Sequence, residues 1–93
     1  MSEYKGAVVR AEAGRDEGGL FFVVGEEAPY LLLADGKRRR AARPKRKKRG
    51  HVTPLEQPEF YHPAIEKLKQ DEPVSDRELR RALAAFKEGM KLG

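Results

Sequence analysis

Gly14-Arg15-Asp16-Glu17-Gly18-Gly19 is a polar turn with an apolar run on each side, Ala7-Val8-Val9 before it and Leu20-Phe21-Phe22-Val23-Val24 after it. Runs rich in β-branched and aromatic residues, joined by a short glycine-bearing loop, predict an antiparallel hairpin. Glycine takes positive φ without the clash a Cβ would cause. Asp16 can accept from its own downstream backbone. The hairpin places strands over residues 4–13 and 20–26. The second is apolar at consecutive positions, as expected where one face meets the core and the other is also covered.

Further along, Glu26-Glu27-Ala28-Pro29 predicts a turn and residues 30–34 a third strand. Asp35-Gly36 is a strong two-residue hairpin signal, and it predicts a fourth strand over 37–42. On that strand Lys37, Arg39 and Ala41 would share one face and Arg38, Arg40 and Ala42 the other. Arg43-Pro44 would end it, because proline donates no ladder bond. A cationic loop over 45–49 and a short closing strand over 50–53 would follow. Five short strands with tight turns predict a mostly β protein, a small five-stranded antiparallel barrel.

The remainder reads as helical. Pro54 and Pro58 mark a linker over 54–62, and Pro63 suits the first position of a helix running to Lys69. Asp71-Glu72-Pro73 would stop it. Ser75-Asp76-Arg77-Glu78 is a capping box, with Ser75 as N-cap and Glu78 reaching back. Leu79, Ala82, Leu83, Phe86 and Met90 then form a stripe at helical spacing, with Gly89 as the expected C-cap. The division is a barrel over 1–53 and a linker with a C-terminal helical hairpin over 54–93, its stripe covering the open end of the barrel.

The net charge of +5 is unevenly distributed: residues 1–36 carry −4, residues 37–49 carry +10 with no acid, and residues 50–93 carry −1. So dense a cationic stretch attracts a polyanion by counterion release. Its arginines outnumber its lysines six to four. Arginine adds bidentate and stacking contacts, which suits structured RNA. No aromatic residue lies within 37–49, which favours backbone and shape contacts over base reading. Tyr4, Phe21, Phe22 and Tyr30 are expected in the core.

The chain has no cysteine, which excludes disulfides and thiolate metal sites. His51 and His62 supply too few ligands for zinc. Ser2, Thr53, Ser75 and the carboxylates form no triad or pair, so neither an enzyme nor a cofactor is expected. The opening Met1-Ser2-Glu3-Tyr4-Lys5 shows no signal pattern, and no apolar run approaches a membrane span. A cytoplasmic protein without membrane contact is expected.

Gly6-Ala7-Val8-Val9-Arg10 followed by Ala13-Gly14-Arg15-Asp16-Glu17-Gly18 resembles a KOW motif, shared by several ribosomal proteins and by NusG-type transcription factors. Ala34-Asp35-Gly36, the Lys/Arg-rich segment and Pro44-Lys45-Arg46-Lys47 resemble the bacterial KOW-domain RNA-binding proteins, themselves similar to the large-subunit ribosomal protein group numbered fourteen-e. The resemblance covers roughly residues 4–53. It implies an SH3-like barrel that binds RNA, with ribosomal RNA the leading candidate. Gly18 matches the glycine that ends the motif's loop, and Arg15 its basic residue. Glu17 departs from the pattern, standing where a basic residue is common.

The expected RNA-binding residues are Arg15, Lys37, Arg38, Arg39, Arg40, Arg43, Lys45, Arg46, Lys47, Lys48 and Arg49, with His51 beside them. The expected setting is the ribosome or translation. The alternative is a protein-interaction adaptor, in which Leu79, Leu83, Phe86 and Met90 dock a ribosomal or other protein and the basic run meets an acidic surface. The charge pattern also fits sequence-independent DNA binding.

Overall fold

The computed structural model describes residues 4–92. Met1, Ser2 and Glu3, read above for a signal pattern, lie outside the described residues. Five strands, β1 (Val8–Ala11), β2 (Leu20–Glu27), β3 (Tyr30–Ala34), β4 (Lys45–Lys48) and β5 (Val52–Leu55), form one antiparallel sheet in the order β4-β3-β2-β1-β5. A short 3-10 turn over Arg49–His51 joins β4 to β5. The end strands are not paired to each other, so the sheet is open. Helices α1 (Pro63–Lys69) and α2 (Asp76–Leu92) follow, giving a mixed α/β fold.

The β1–β2 hairpin forms around Gly14–Gly19 as its sequence demands. Gly14 and Gly18 take φ of 80° and 84°, and the Gly18 N–H donates to the Ala11 carbonyl at 2.7 Å. Strand β2 is apolar at consecutive positions because both of its faces are covered. Phe22 joins Val8 and Ala34 against the helices, in one cluster with Ala64, Leu68, Leu79, Ala82, Leu83 and Phe86. Phe21 and Val23 turn the other way and join Val9, Ala11, Leu31 and Leu33.

The segment after β3 differs from its sequence reading. Residues 37–42 are not a strand, and the cationic residues 45–48, expected as loop, form β4. The two-residue turn that Asp35-Gly36 would make needs positive φ at both central residues. Gly36 has φ of 78°, but Asp35 does not join it in that region. The Asp35 carboxylate instead accepts from the Lys37 and Arg39 N–H groups, each at 2.9 Å, and closes a wider loop. The chain resumes pairing only after Pro44, with Lys45 opposite Leu33 and Lys48 opposite Tyr30. The closing strand also lies later than read, at Val52–Leu55 against β1.

Helix α1 starts at Pro63 as read, and the His62 ring accepts from the Ala64 N–H at 3.1 Å. It ends in paired bonds from Glu72 N–H to the Lys67 carbonyl and from Asp71 N–H to that of Leu68, with Asp71 at φ 60°, a Schellman closure with aspartate in place of glycine. The capping box of α2 is formed, Ser75 and Glu78 bonding each other's N–H at 3.1 Å. Gly89 does not cap α2; the helix runs past it to Leu92. There the absent side chain makes room for Gln57, whose amide donates to the Phe86 carbonyl at 2.7 Å. Phe60 meets Phe86 edge-on at 5.2 Å between centroids. The stripe of α2 is therefore core except for Met90, which is 46% exposed.

Leu79 is fully buried between sheet and helices. Leu79→Ala is expected to destabilise the whole domain by about 2–5 kcal/mol, read as one shifted denaturant transition followed by both tyrosine fluorescence and far-UV circular dichroism.

Candidate nucleic-acid interface

Ten cations in thirteen residues repel one another, and such a run commonly stays disordered. Here carboxylates and one neighbouring element hold it in place. Asp35 ties its own loop, and the Asp35 and Gly36 N–H groups both donate to the Arg39 carbonyl. Asp16, from the β1–β2 turn, is only 4% exposed and accepts from the Arg39 guanidinium at 2.8 Å. Asp76, opening α2, accepts from the Ala41 N–H at 2.7 Å. Gly36 is packed so closely on α2 that a Cβ would come within 2.2 Å of the Asp76 carbonyl oxygen. Arg80 of α2 donates to the Gly36 carbonyl at 2.6 Å.

Asp16 thus has a role its sequence context did not disclose. In the sequence it was a turn residue; in the fold it is the buried anion that joins two loops. The Arg39 hydrogen bond holds its carboxyl below the usual range, against the opposing effect of burial, with the charges of Arg39, Lys47 and Arg38 adding to the effect.

Strand β4 alternates as a strand should. Lys47, opposite Leu31, lies on the face of the second apolar cluster and is buried, its ammonium bonded to the Ala13 carbonyl. Its stem covers apolar surface while its charge reaches a backbone acceptor. Arg46 and Lys48 point to the other face and are exposed. The Arg46 guanidinium lies 4.5 Å from the centre of the Tyr30 ring and 3.3 Å from Glu27. Arg49 lies over Tyr4 at 5.4 Å. Tyr4 and Tyr30 are therefore half-buried platforms for arginines, while Phe21 and Phe22 are core.

Of the residues expected to contact RNA, Arg15, Lys37, Arg38, Arg40, Arg43, Lys45, Arg46, Lys48, Arg49 and His51 are exposed. Arg39 and Lys47 are turned inward onto Asp16 and Ala13. Arg15 projects from the turn that holds Asp16, so the turn and the basic loop are neighbours through the Asp16–Arg39 pair. Arg80 was missed, because a lone arginine on a helix carries no sequence mark of what faces it. Among the described residues no group of three or more His, Cys, Asp or Glu side chains could hold a metal ion, and no helix is long and apolar enough to cross a membrane. No protein-family model and no curated protein sequence matches the chain.

Asp16→Asn removes the charge that Arg39 faces and is expected to cost about 1–3 kcal/mol, Arg39 being partly solvated. Because the folded carboxyl titrates below its unfolded value of about 3.9, its contribution is complete above that pH and disappears as pH falls through the lower folded value. Denaturant midpoints measured from pH 7 down to pH 2 should fall more steeply in the acid range for the wild type than for Asp16→Asn.

Proposed function

We propose that this protein binds structured RNA, ribosomal RNA being the leading candidate, through the basic loop and the β4 edge of an SH3-like barrel of KOW type, in association with the ribosome or translation. The observation that carries the reading is the fixed placement of exposed cations on one loop and one sheet edge, with Asp16 and Asp76 anchoring the segment from beneath. Four points support the barrel. The strand order is β4-β3-β2-β1-β5, and a 3-10 turn lies between β4 and β5. The glycines of the first turn have positive φ. The cluster around Phe21 and Leu33 is at most 3% exposed although neither helix contributes to it.

Arg46 and Lys48 project from an edge strand beside Arg49. The Arg46–Glu27 pair is more than half exposed on both sides, and such a pair contributes little to stability. A phosphate can replace Glu27 at small cost while the guanidinium keeps its Tyr30 platform. The contacts are to the backbone, consistent with recognition of RNA by shape. Of the four residues through which an adaptor would dock, Leu79, Leu83 and Phe86 are buried and Met90 is exposed.

Filter binding of structured RNA across a salt series tests the reading. A footprint of about six phosphates gives a log–log slope near −5. Arg46→Ala with Lys48→Ala should weaken binding and flatten the slope by about 2. Salt-independent binding, or no binding in low salt, would sink the proposal. Crosslinking in cells should recover ribosomal RNA, and equal competition by duplex DNA would redirect the reading to DNA.

A further inference from the structure

We infer that the flank of α2 bearing Arg80 and Lys87 is part of the nucleic-acid surface, and that it grips the phosphate backbone of the same RNA together with Lys37. The inference rests on the RNA-binding reading above and extends it to an element outside the KOW-like segment.

Its basis is where α2 lies. Residues Leu79, Ala82, Leu83 and Phe86 face the core, so positions 80 and 87, two turns apart and about 10 Å along the axis, share one flank. That flank borders the basic loop: Leu20, Asp35 and Lys37 line one shallow hollow with Arg80, Leu83, Ala84 and Lys87 of α2. Three of the seven are cations, supplied by the loop and by α2.

The single acid in the hollow is already engaged. An Asp35 oxygen accepts from the Lys37 and Arg39 backbone N–H groups. Arg80 uses one nitrogen on the Gly36 carbonyl and has further donors to offer. Neither Lys37 nor Lys87 forms a side-chain ion pair among the described residues. Several other cations do: Lys5 with Asp71, Arg10 with Glu12, Arg46 with Glu27 and Lys67 with Glu78. The hollow has no aromatic side chain on which a base could stack, so the matching ligand is a phosphodiester rather than a base. The flank continues the surface already assigned, since the Arg80–Gly36 bond ties it to the loop that carries Lys37 and Arg38.

Salt-series filter binding with single variants tests this. Lys37→Ala and Lys87→Ala should each flatten the log–log slope by about 0.9, which reduces the affinity lost between 50 and 200 mM salt by about threefold relative to wild type. Arg81→Ala makes the same charge change on the solvent face of α2 and should leave the slope unchanged. A photocrosslinker at Lys87→Cys should label RNA, and one at Arg81→Cys should not. If the Lys87 and Arg81 variants behave alike while Arg46→Ala with Lys48→Ala still weakens binding, the inference fails and the RNA-binding reading stands. If the wild type shows no salt-dependent binding, both fail.

Discussion

The pair between the buried Asp16 and the half-buried Arg39 is the interaction on which the arrangement of the surface depends. A segment with a charge of +10 gains nothing from collapsing on itself. It becomes ordered because anions and one helix are placed under it: Asp16 beneath Arg39, Asp35 across its own loop, and Asp76 beneath Ala41. Burying a carboxylate is unfavourable unless it is paired and hydrogen-bonded, and Arg39 meets both conditions at 2.8 Å. The pair acts across the chain, tying the first turn to the loop between β3 and β4.

The same economy of charge shapes β4. An edge strand made of Lys45-Arg46-Lys47-Lys48 resists pairing with another chain, since cations on an edge disfavour strand addition. It is also a row of cations, three of its four side chains exposed. Both properties follow from one sequence, and only Lys47 is withdrawn from solvent, its stem lying on the apolar cluster and its ammonium on Ala13. A strand whose inward position is lysine can form at the edge because long aliphatic stems pack while their ends reach a backbone acceptor.

The helices connect these features to the rest of the domain. Leu79, Leu83 and Phe86 bury the sheet face that carries Val8, Phe22 and Ala34. Once that packing forms, Asp76 and Arg80 are delivered to the loop at Ala41 and Gly36. Core packing and the position of the cations are thus coupled through one helix, and the hollow shared by Lys37 and Lys87 is a product of that coupling.

Much was legible in the residues alone. The first turn, the bounds of β3, the start of α1 and the capping box of α2 all follow from short-range chemistry, where glycine, proline and Ser/Glu spacing act within a few residues. The charge block was equally plain. What the sequence could not decide was set by partners distant in the chain. Asp35 took up loop N–H groups instead of entering a two-residue turn, so the fourth strand moved from 37–42 to Lys45–Lys48. Gly89 became a seat for Gln57 rather than a helix end. Arg39 and Lys47 were drawn inward while their neighbours stayed exposed, and Arg80 was brought to the loop. The physical reason is shared: local pattern fixes which backbone shapes are favourable, but the direction of a polar side chain depends on where folding places its hydrogen-bond partner, and Asp16 lies 23 residues from Arg39, Ala13 34 from Lys47 and Gly36 44 from Arg80.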